Sequence, residues 1–415
     1  MLTVEAALSR ILAAAPAPRR EAVAVTDALG LHLSGPVLAT MDLPPWANSA
    51  MDGFAVRAAD TPGRLVVLET IAAGAVPRAT VGAGTASRIM TGAPIPPGAD
   101  AVVMIEDCTT EGDQVQVPGA RPGQHVRARG SDVRAGAEVL AAGRRLGPGA
   151  LGLLASFGHT KIEVYARPRV AVISTGDEVV QPGTALGPGQ IYSSNNVTLA
   201  ALVAEAGGVP VDLGNCLDDP AALHARFTDA ARCADLVVST GGVSVGDFDH
   251  VKDVLGAVDF WRVAMKPGKP LAFGRFGDRP FFGLPGNPVS CMVNFLQFVR
   301  PVVRTMLGDP SPFLPVVSAT LTRPVRRAPG RVEFLRVRLS RDAAGTLWAS
   351  PTGGHQGSGN VAGMADAHGF ALLDATRTEV SGDVSVQVFD GSYDARESAG
   401  YTWGTQPDAD PRRCC

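Results

Sequence analysis

The chain has none of the features that would mark it for export, for a membrane or for a nucleic acid. Its cysteines are Cys108, Cys216, Cys233, Cys291, Cys414 and Cys415, and none falls in a C-x-x-C pair. That excludes a zinc ribbon and favours reduced, buried thiols over a disulfide framework. No apolar run approaches the roughly 18 residues that a spanning helix needs. Formal net charge is only -3 over 415 residues, so nothing argues for wrapping nucleic acid or lying on an anionic membrane. Leu2 to Pro18 is alanine-rich, but it lacks the basic start of a secretory signal, and Glu5 and Arg10 interrupt it. Leu8, Ile11 and Leu12 fit one face of a helix with Thr3 as N-cap. The terminal Cys414-Cys415 resembles a prenylation signal, but nothing else in the chain supports one. A cytoplasmic globular protein is expected.

What is present is a core-forming chain, 46% hydrophobic, with many turns from 48 glycines and 32 prolines. Its length predicts two to four domains. Residues 1–41 read as a helix and an extended piece, the first half of an elongated N-terminal domain. Residues 42–136 are short β-rich runs, an inserted β domain, and 137–167 are the second half. If the first helix packs on 137–165, the β domain is an insertion between those halves. From 168 to 309 strands alternate with helices, which predicts a layered α/β domain with a mainly parallel sheet. Residues 310–390 return to short strands as a small β barrel, and 391–415 read as a disordered tail. The predicted fold class is thus α/β plus β, multidomain.

The densest chemistry lies in the α/β segment. Val238 to Asp249, V-S-T-G-G-V-S-V-G-D-F-D, runs from a buried strand into a loop holding Gly241, Gly242, Ser244 and Gly246, then Asp247 and Asp249. Glycine lets the backbone approach a ligand and bare its N–H groups, and a helix start after such a loop attracts an oxyanion. The acidic pair fits that role best with a divalent cation between carboxylate and phosphate. Alone, the loop is equally readable as a capped turn. The pattern recurs in R-V-A-V-I-S-T-G-D-E, with Thr175, Gly176 and Glu178, and in F-F-G-L-P-G-N-P-V, with Pro285, Gly286, Asn287 and Pro288. Strands of a parallel sheet end on one edge, where ligands bind. Before the third loop, Lys266 and Lys269 are stiffened by Pro267 and Pro270, a frame suited to phosphate or a tetrahedral oxyanion.

Outside this segment, Asp52 follows P-P-W-A-N-S-A-M, and Thr91 centres the stiff I-M-T-G-A-P-I-P-P-G-A-D. Arg127 and Asp132 lie in V-R-A-R-G-S-D. Simple turn capping by Asp52 and a surface Arg127–Asp132 pair remain open. In the last segment, G-R-V-E-F-L-R and G-H-Q-G-S-G offer Arg331, Arg336 and Ser358.

In combination, N-S-A-M-D-G-F, I-M-T-G-A-P-I-P-P-G-A-D-A-V-V, R-G-S-D, S-T-G-D-E, S-T-G-G-V-S-V-G-D, A-M-K-P-G-K-P and L-P-G-N-P-V-S resemble the MoeA family. These are the molybdopterin molybdenumtransferases, related to the E domains of gephyrin and Cnx1. The resemblance runs over roughly residues 1 to 390. It implies an enzyme that inserts molybdate into adenylylated molybdopterin with Mg²⁺, releasing AMP and molybdenum cofactor. It implies a homodimer whose cleft combines the α/β domain of one subunit with the β domain of the other. Transient contacts with the adenylyltransferase and with acceptor molybdoenzymes would follow. Carried over, Asp52, Thr91, Glu178, Asp218 and Asp249 are the catalytic positions, and Glu178, Asp247 and Asp249 handle the metal. Arg127, Asp132, Ser244, Lys266, Lys269, Pro270, Arg331, Arg336 and Ser358 bind substrate or oxyanion. The alternatives are a molybdopterin adenylyltransferase, a CinA-type pyrophosphatase or a gephyrin-like scaffold. The first would not need the β insertion and the barrel, and the second is a more distant alternative on the same fold. The retained acidic and lysine loops argue against the scaffold.

Overall fold

A computed structural model describes residues 1–242, 254, 258–353 and 356–394. The chain forms two compact units, one of residues 1–21 with those from 165 onward, the other of 22–164. Helix α1 (Val4–Ala13) starts as expected, with Thr3 Oγ1 accepting the N–H of Ala6 at 3.1 Å. Its packing differs from expectation. Ala7 and Ile11 are fully buried in one apolar cluster with Phe298 and Val302, and Leu8 and Leu12 pack against it. The cause lies in the backbone before it. Leu2 donates to the carbonyl of Arg262 at 2.9 Å and accepts from Ala264 at 2.8 Å, which stitches the chain start to the α/β unit. The compact unit of residues 22–164 therefore does not include α1.

The unit of residues 22–164 has two cores. Val25, Leu33, Val37, Leu146, Leu154 and Val164 form the first, drawn from both flanks of the β insertion and from helix α2 (Pro148–Ser156). The insertion is a six-stranded sheet in the order Ala101–Met104, Gly53–Val56, Thr85–Ile89, Gly63–Ile71, Gln114–Val117, Thr109–Glu111. Phe54, Leu65, Val103, Val115 and Val117 fill its core. Gly53 lies where strands crowd, since a Cβ there would meet the backbone carbonyl oxygen of Val103 at 1.9 Å.

The other unit is built on strands β1 (Arg169–Thr175), β2 (Val209–Cys216), β3 (Leu236–Thr240), β4 (Val258–Arg262), β5 (Pro270–Phe276) and β6 (Arg279–Leu284). The sheet order is β2-β1-β3-β6-β5-β4, and the first three pairings are parallel. Strand β5, absent from the sequence reading, pairs antiparallel with both β6 and β4, so the sheet is mixed. Side chains alternate across it with period two. Val170, Val172, Val238 and Phe282 face α1 and helix α3 (Ser194–Glu205), whereas Ala171, Ile173, Val237 and Phe281 face helix α4 (Pro220–Cys233). Pro220 at its first turn and Asp219 Oδ1, which accepts the N–H of Ala222 at 2.8 Å, start α4. The apolar stretch after β6 is helical in three pieces: α5 (Pro288–Asn294), a buried π segment (Phe295–Val299) and α6 (Arg300–Met306).

Five strands close the C-terminal barrel in the ring order Val332–Arg341, Leu347–Pro351, Val316–Leu321, Asp383–Val388, Gly369–Leu373. A sixth piece, Met265–Lys266, pairs in parallel with Val332–Glu333. The tail does not begin at 391. Gly391–Asp394 is a turn of 3-10 helix, and Asp394 pairs with Arg341 at 3.0 Å. Most of the segment after the V-S-V-G-D-F-D loop, and residues 395–415, lie outside the described residues.

Replacing Gly53 by alanine should destabilise the β insertion by about 1–3 kcal/mol, because a methyl group would be forced onto a backbone carbonyl. Calorimetric or denaturant unfolding of the variant checks this. A transition unchanged from wild type would contradict the close approach.

Candidate functional site

Parallel strands β2, β1, β3 and β6 all deliver their C-terminal ends to one edge, and a cavity of about 480 Å³ lies there. Every motif that the sequence placed at a strand end and that falls within the described residues lines it. Thr175, Gly176 and Glu178 come from the β1 turn, Asp218 from the β2 end, Gly241 and Gly242 from the β3 loop, and Pro285 to Pro288 from the β6 loop. Pro270 lines it as well. Ser244, Gly246, Asp247 and Asp249 lie outside the described residues.

Backbone geometry explains the glycines. Gly241 has φ +95°, donates to the carbonyl of Leu284 at 3.1 Å, and would place a Cβ 2.6 Å from the carbonyl oxygen of Thr175. Gly176 has φ +134°, and a Cβ there would sit 2.5 Å from Glu178 Oε2. Only glycine lets the loops close up this far. The S-T-G-D-E turn is held from below by Asn215, whose Nδ2 donates to the carbonyls of Gly176 at 3.1 Å and Val179 at 2.8 Å. Asp177 Oδ1 accepts the N–H of Asp218 at 3.1 Å, joining the β1 and β2 ends. Asp177 thus braces the turn, while Glu178 and Asp218 face the cavity. Thr175 Oγ1 is buried with no partner among the described residues.

Glu178 and Asp218 bear on the expected cation. Among the described residues no group of three His, Cys, Asp or Glu could hold a metal. Mg²⁺ commonly takes only one or two carboxylates and completes its shell with phosphate oxygens and water. Two carboxylates on a cavity ringed by glycine loops, one of them against the site where a Cβ is missing at Gly176, fit that mode.

The lysines separate. Lys266 Nζ pairs with Glu333 Oε1 at 2.9 Å, and the Glu333 carboxylate is only 6% exposed. Its other oxygen lies 3.3 Å from Nε of the buried Arg327. Lys269 is exposed beside Pro270. The loop between them rests on buried Asn294, whose Nδ2 donates to Gly268 O at 3.1 Å and Ser290 O at 2.9 Å. Arg336 is not an open oxyanion ligand. It is 1% exposed, its Nε donates to Gln356 Oε1 at 3.0 Å, and its Nη atoms donate to the carbonyls of Asn360 and Gly357. Burial lowers its pKa. What it does is shape the loop that carries Ser358, whose carbonyl accepts the N–H of Val289 at 3.1 Å in the first turn of α5. The backbone carbonyl of Arg331 accepts from Arg327. Neither Arg331 nor Ser358 is among the cavity-lining residues.

In the other unit, Asp52 Oδ1 accepts the N–H of Thr91 at 2.6 Å and its hydroxyl at 2.9 Å. The backbone N–H, then the hydroxyl, hold the Asp52 carboxyl below its ordinary value. Protonation competes with both bonds, so the clamp persists at any pH above the ordinary carboxylate range and is lost as pH falls through the depressed pKa. Asp52 is thus a loop clamp and not merely a turn cap. Arg127 and Asp132 are both exposed and do not pair, whereas the neighbouring Arg129 pairs with Asp42 at 2.6 Å.

The sequence reading missed residues 192–195. Tyr192, Ser193, Ser194 and Asn195 line the cavity from the start of α3. The available signal was the polar run Y-S-S-N-N, which leads into the helix and supplies its first three residues.

Cys291 lies under this floor on α5. Burial, against a smaller opposing effect of the neighbouring Thr240 hydroxyl, pushes its thiol up to about 12. At pH 8 iodoacetamide should label it roughly a thousandfold more slowly in the native protein than after unfolding. Mapping alkylated peptides with time measures this, and comparable rates would contradict the burial.

Three family models match the chain. "MoeA N-terminal region (domain I and II)" matches residues 2–158, "Probable molybdopterin binding domain" 171–305, and "MoeA C-terminal region (domain IV)" 318–389. Molybdopterin molybdenumtransferase 2 of Mycobacterium tuberculosis H37Rv is 41% identical over 385 residues, 89% of this chain and 94% of the relative. Molybdopterin molybdenumtransferase of Haemophilus influenzae is 37% identical over 399 residues, 94% of this chain and 98% of the relative. A crystal structure of the molybdopterin biosynthesis MoeA protein from Pyrococcus horikosii is similar with a TM-score of 0.82 and 35% identity. It covers 94% of this chain and 100% of that one.

Proposed function

The chain belongs to the MoeA family and is a molybdopterin molybdenumtransferase of molybdenum cofactor biosynthesis; on that premise we propose that its substrates are adenylylated molybdopterin and molybdate, and its products AMP and the cofactor. The observation that supports this reading most is the convergence of three glycine loops and two carboxylates on one cavity. Backbone N–H groups at Gly242 and Gly286 suit the pyrophosphate oxygens. Glu178 and Asp218, with Asp247 and Asp249 from the same loop series, are the residues that would hold Mg²⁺, which when bound neutralises charge on the phosphates. The protein's own part is to fix the two halves of the pyrophosphate against separate loops and to present an oxyanion site beside them.

Of the two lysines, Lys269 is the one assigned to molybdate, because Lys266 already shares its charge with Glu333. The free thiols of Cys108, Cys216, Cys233 and Cys291 suit a reducing cytoplasm. Among the described residues no helix is long and apolar enough to cross a membrane.

Purified protein given adenylylated molybdopterin should release AMP only when both molybdate and Mg²⁺ are present. Lys269→Ala should raise the molybdate requirement about ten- to a hundredfold and change binding of the adenylylated pterin less, as loss of a charge-assisted hydrogen bond dictates. An unchanged molybdate dependence would remove Lys269 from the oxyanion site.

The family resemblance further supports a homodimer in which Asp52 and Thr91 serve the partner's reaction. Mixing Asp52→Ala subunits with Asp249→Ala subunits should then restore roughly a quarter of wild-type sites, since about half the dimers are mixed and each has one intact site. Verified subunit exchange without recovery would place Asp52 outside the reaction.

A further inference from the structure

Two adjacent asparagines open α3, and they face different strands. Asn196 is 1% exposed; its Oδ1 accepts from Ser174 Oγ of β1, and its Nδ2 donates to Asp212 Oδ1 of β2 at 2.8 Å. Asn195 turns to the other pair. Its Nδ2 donates to Thr240 Oγ1, at the end of β3, at 2.9 Å and to Gly286 O, in the loop after β6, at 2.8 Å. The first turn of one helix thus reaches β1, β2, the end of β3 and the loop after β6.

The orientation of the Asn195 amide follows from its partners. Gly286 O is a carbonyl and can only accept. Thr240 Oγ1 spends its own proton on Pro285 O at 3.1 Å, so it too must accept from Asn195. Both contacts require N–H, and a flipped amide would set oxygen against two acceptors. Asn195 Oδ1 is left buried without a partner among the described residues. Among the described residues, the Thr240 hydroxyl's own bond to Pro285 O is the other side-chain link between the Thr240-Gly241-Gly242 loop and the Pro285-Gly286-Asn287 loop, and Asn195 fastens that same contact from α3.

We propose that Asn195 is a positioning residue for the transfer reaction, a double N–H donor that sets the spacing of these two glycine loops and so holds the pyrophosphate in its reactive geometry. The proposal rests on the assignment of those loops to the pyrophosphate. It differs from the Asp, Glu and Lys roles above because Asn195 acts through the loops and carries no charge.

The test is molybdate-dependent AMP release by the full chain, wild type beside Asn195→Ala, Asn195→Asp, Thr240→Val and the Asn195→Ala/Thr240→Val double variant. Wild-type turnover in the same assay reports separately on the functional reading. Asn195→Ala should lower kcat about tenfold or more through loss of two donors, and change KM for adenylylated molybdopterin less than about threefold. Asn195→Asp keeps the shape but faces acceptors with acceptors. Its kcat should fall at least as far as that of Asn195→Ala, because a carboxylate in the same place repels both acceptors. The double variant should lose less than the product of the single losses. Wild-type kcat in Asn195→Asp, or a loss in Asn195→Ala that falls on KM and not on kcat, would overturn the proposal. Should Asn195→Asp not fold, the other variants decide it: sub-multiplicative losses support the bridge and multiplicative ones overturn it.

Discussion

Four strands running the same way put all their outgoing backbone on one edge, where the ladder ends and carbonyl and N–H groups need new partners. The whole site is an answer to that constraint. Gly241 closes onto Thr175 and Leu284, Asn215 takes the carbonyls of the S-T-G-D-E turn, and Asp177 takes the N–H of Asp218. Once those internal needs are met, the N–H groups and carboxylates left over face one cavity. Binding capacity here is what remains after the sheet has satisfied itself.

The second organising element is a buried charge. Glu333, on the barrel, would be costly in isolation, and the positions of Lys266 and Arg327 on either side of it offset that cost. The arrangement neutralises one of the two lysines of the K-P-G-K-P loop and leaves the other exposed. Two cations that look equivalent in sequence therefore have different electrostatic roles.

The strand-end loops were legible because two strong signals coincide in them, a continuous apolar strand and a turn of glycine with hydroxyl or carboxylate. The α/β layering and the barrel followed from element order. What escaped had no local signature. Strand β5, P-L-A-F-G-R-F, opens on proline and carries an internal glycine, so its antiparallel place depends on the neighbours it finds. Helix α1 is equally amphipathic wherever it packs, and the two backbone bonds of Leu2 decide the matter. Arg336 reads as a free cation in sequence, whereas its burial and its carbonyl partners exist only once the 356–360 loop has folded over it. Asn195 went unread because its neighbours are polar too, and polarity alone does not tell a cap from a clasp.

The short strand Met265–Lys266 is at once the entry to the cationic loop and an edge of the barrel, and Ser358 closes the same connection onto α5. The matched regions end at 305 and resume at 318, yet main-chain pairing runs straight across that gap. Modularity in this chain therefore differs between ancestry and mechanics. A chimera that exchanged the barrel alone between relatives would ask a foreign strand to accept Met265–Lys266 in register and a foreign acid to meet Lys266. The transplantable piece is the barrel together with the loop it holds.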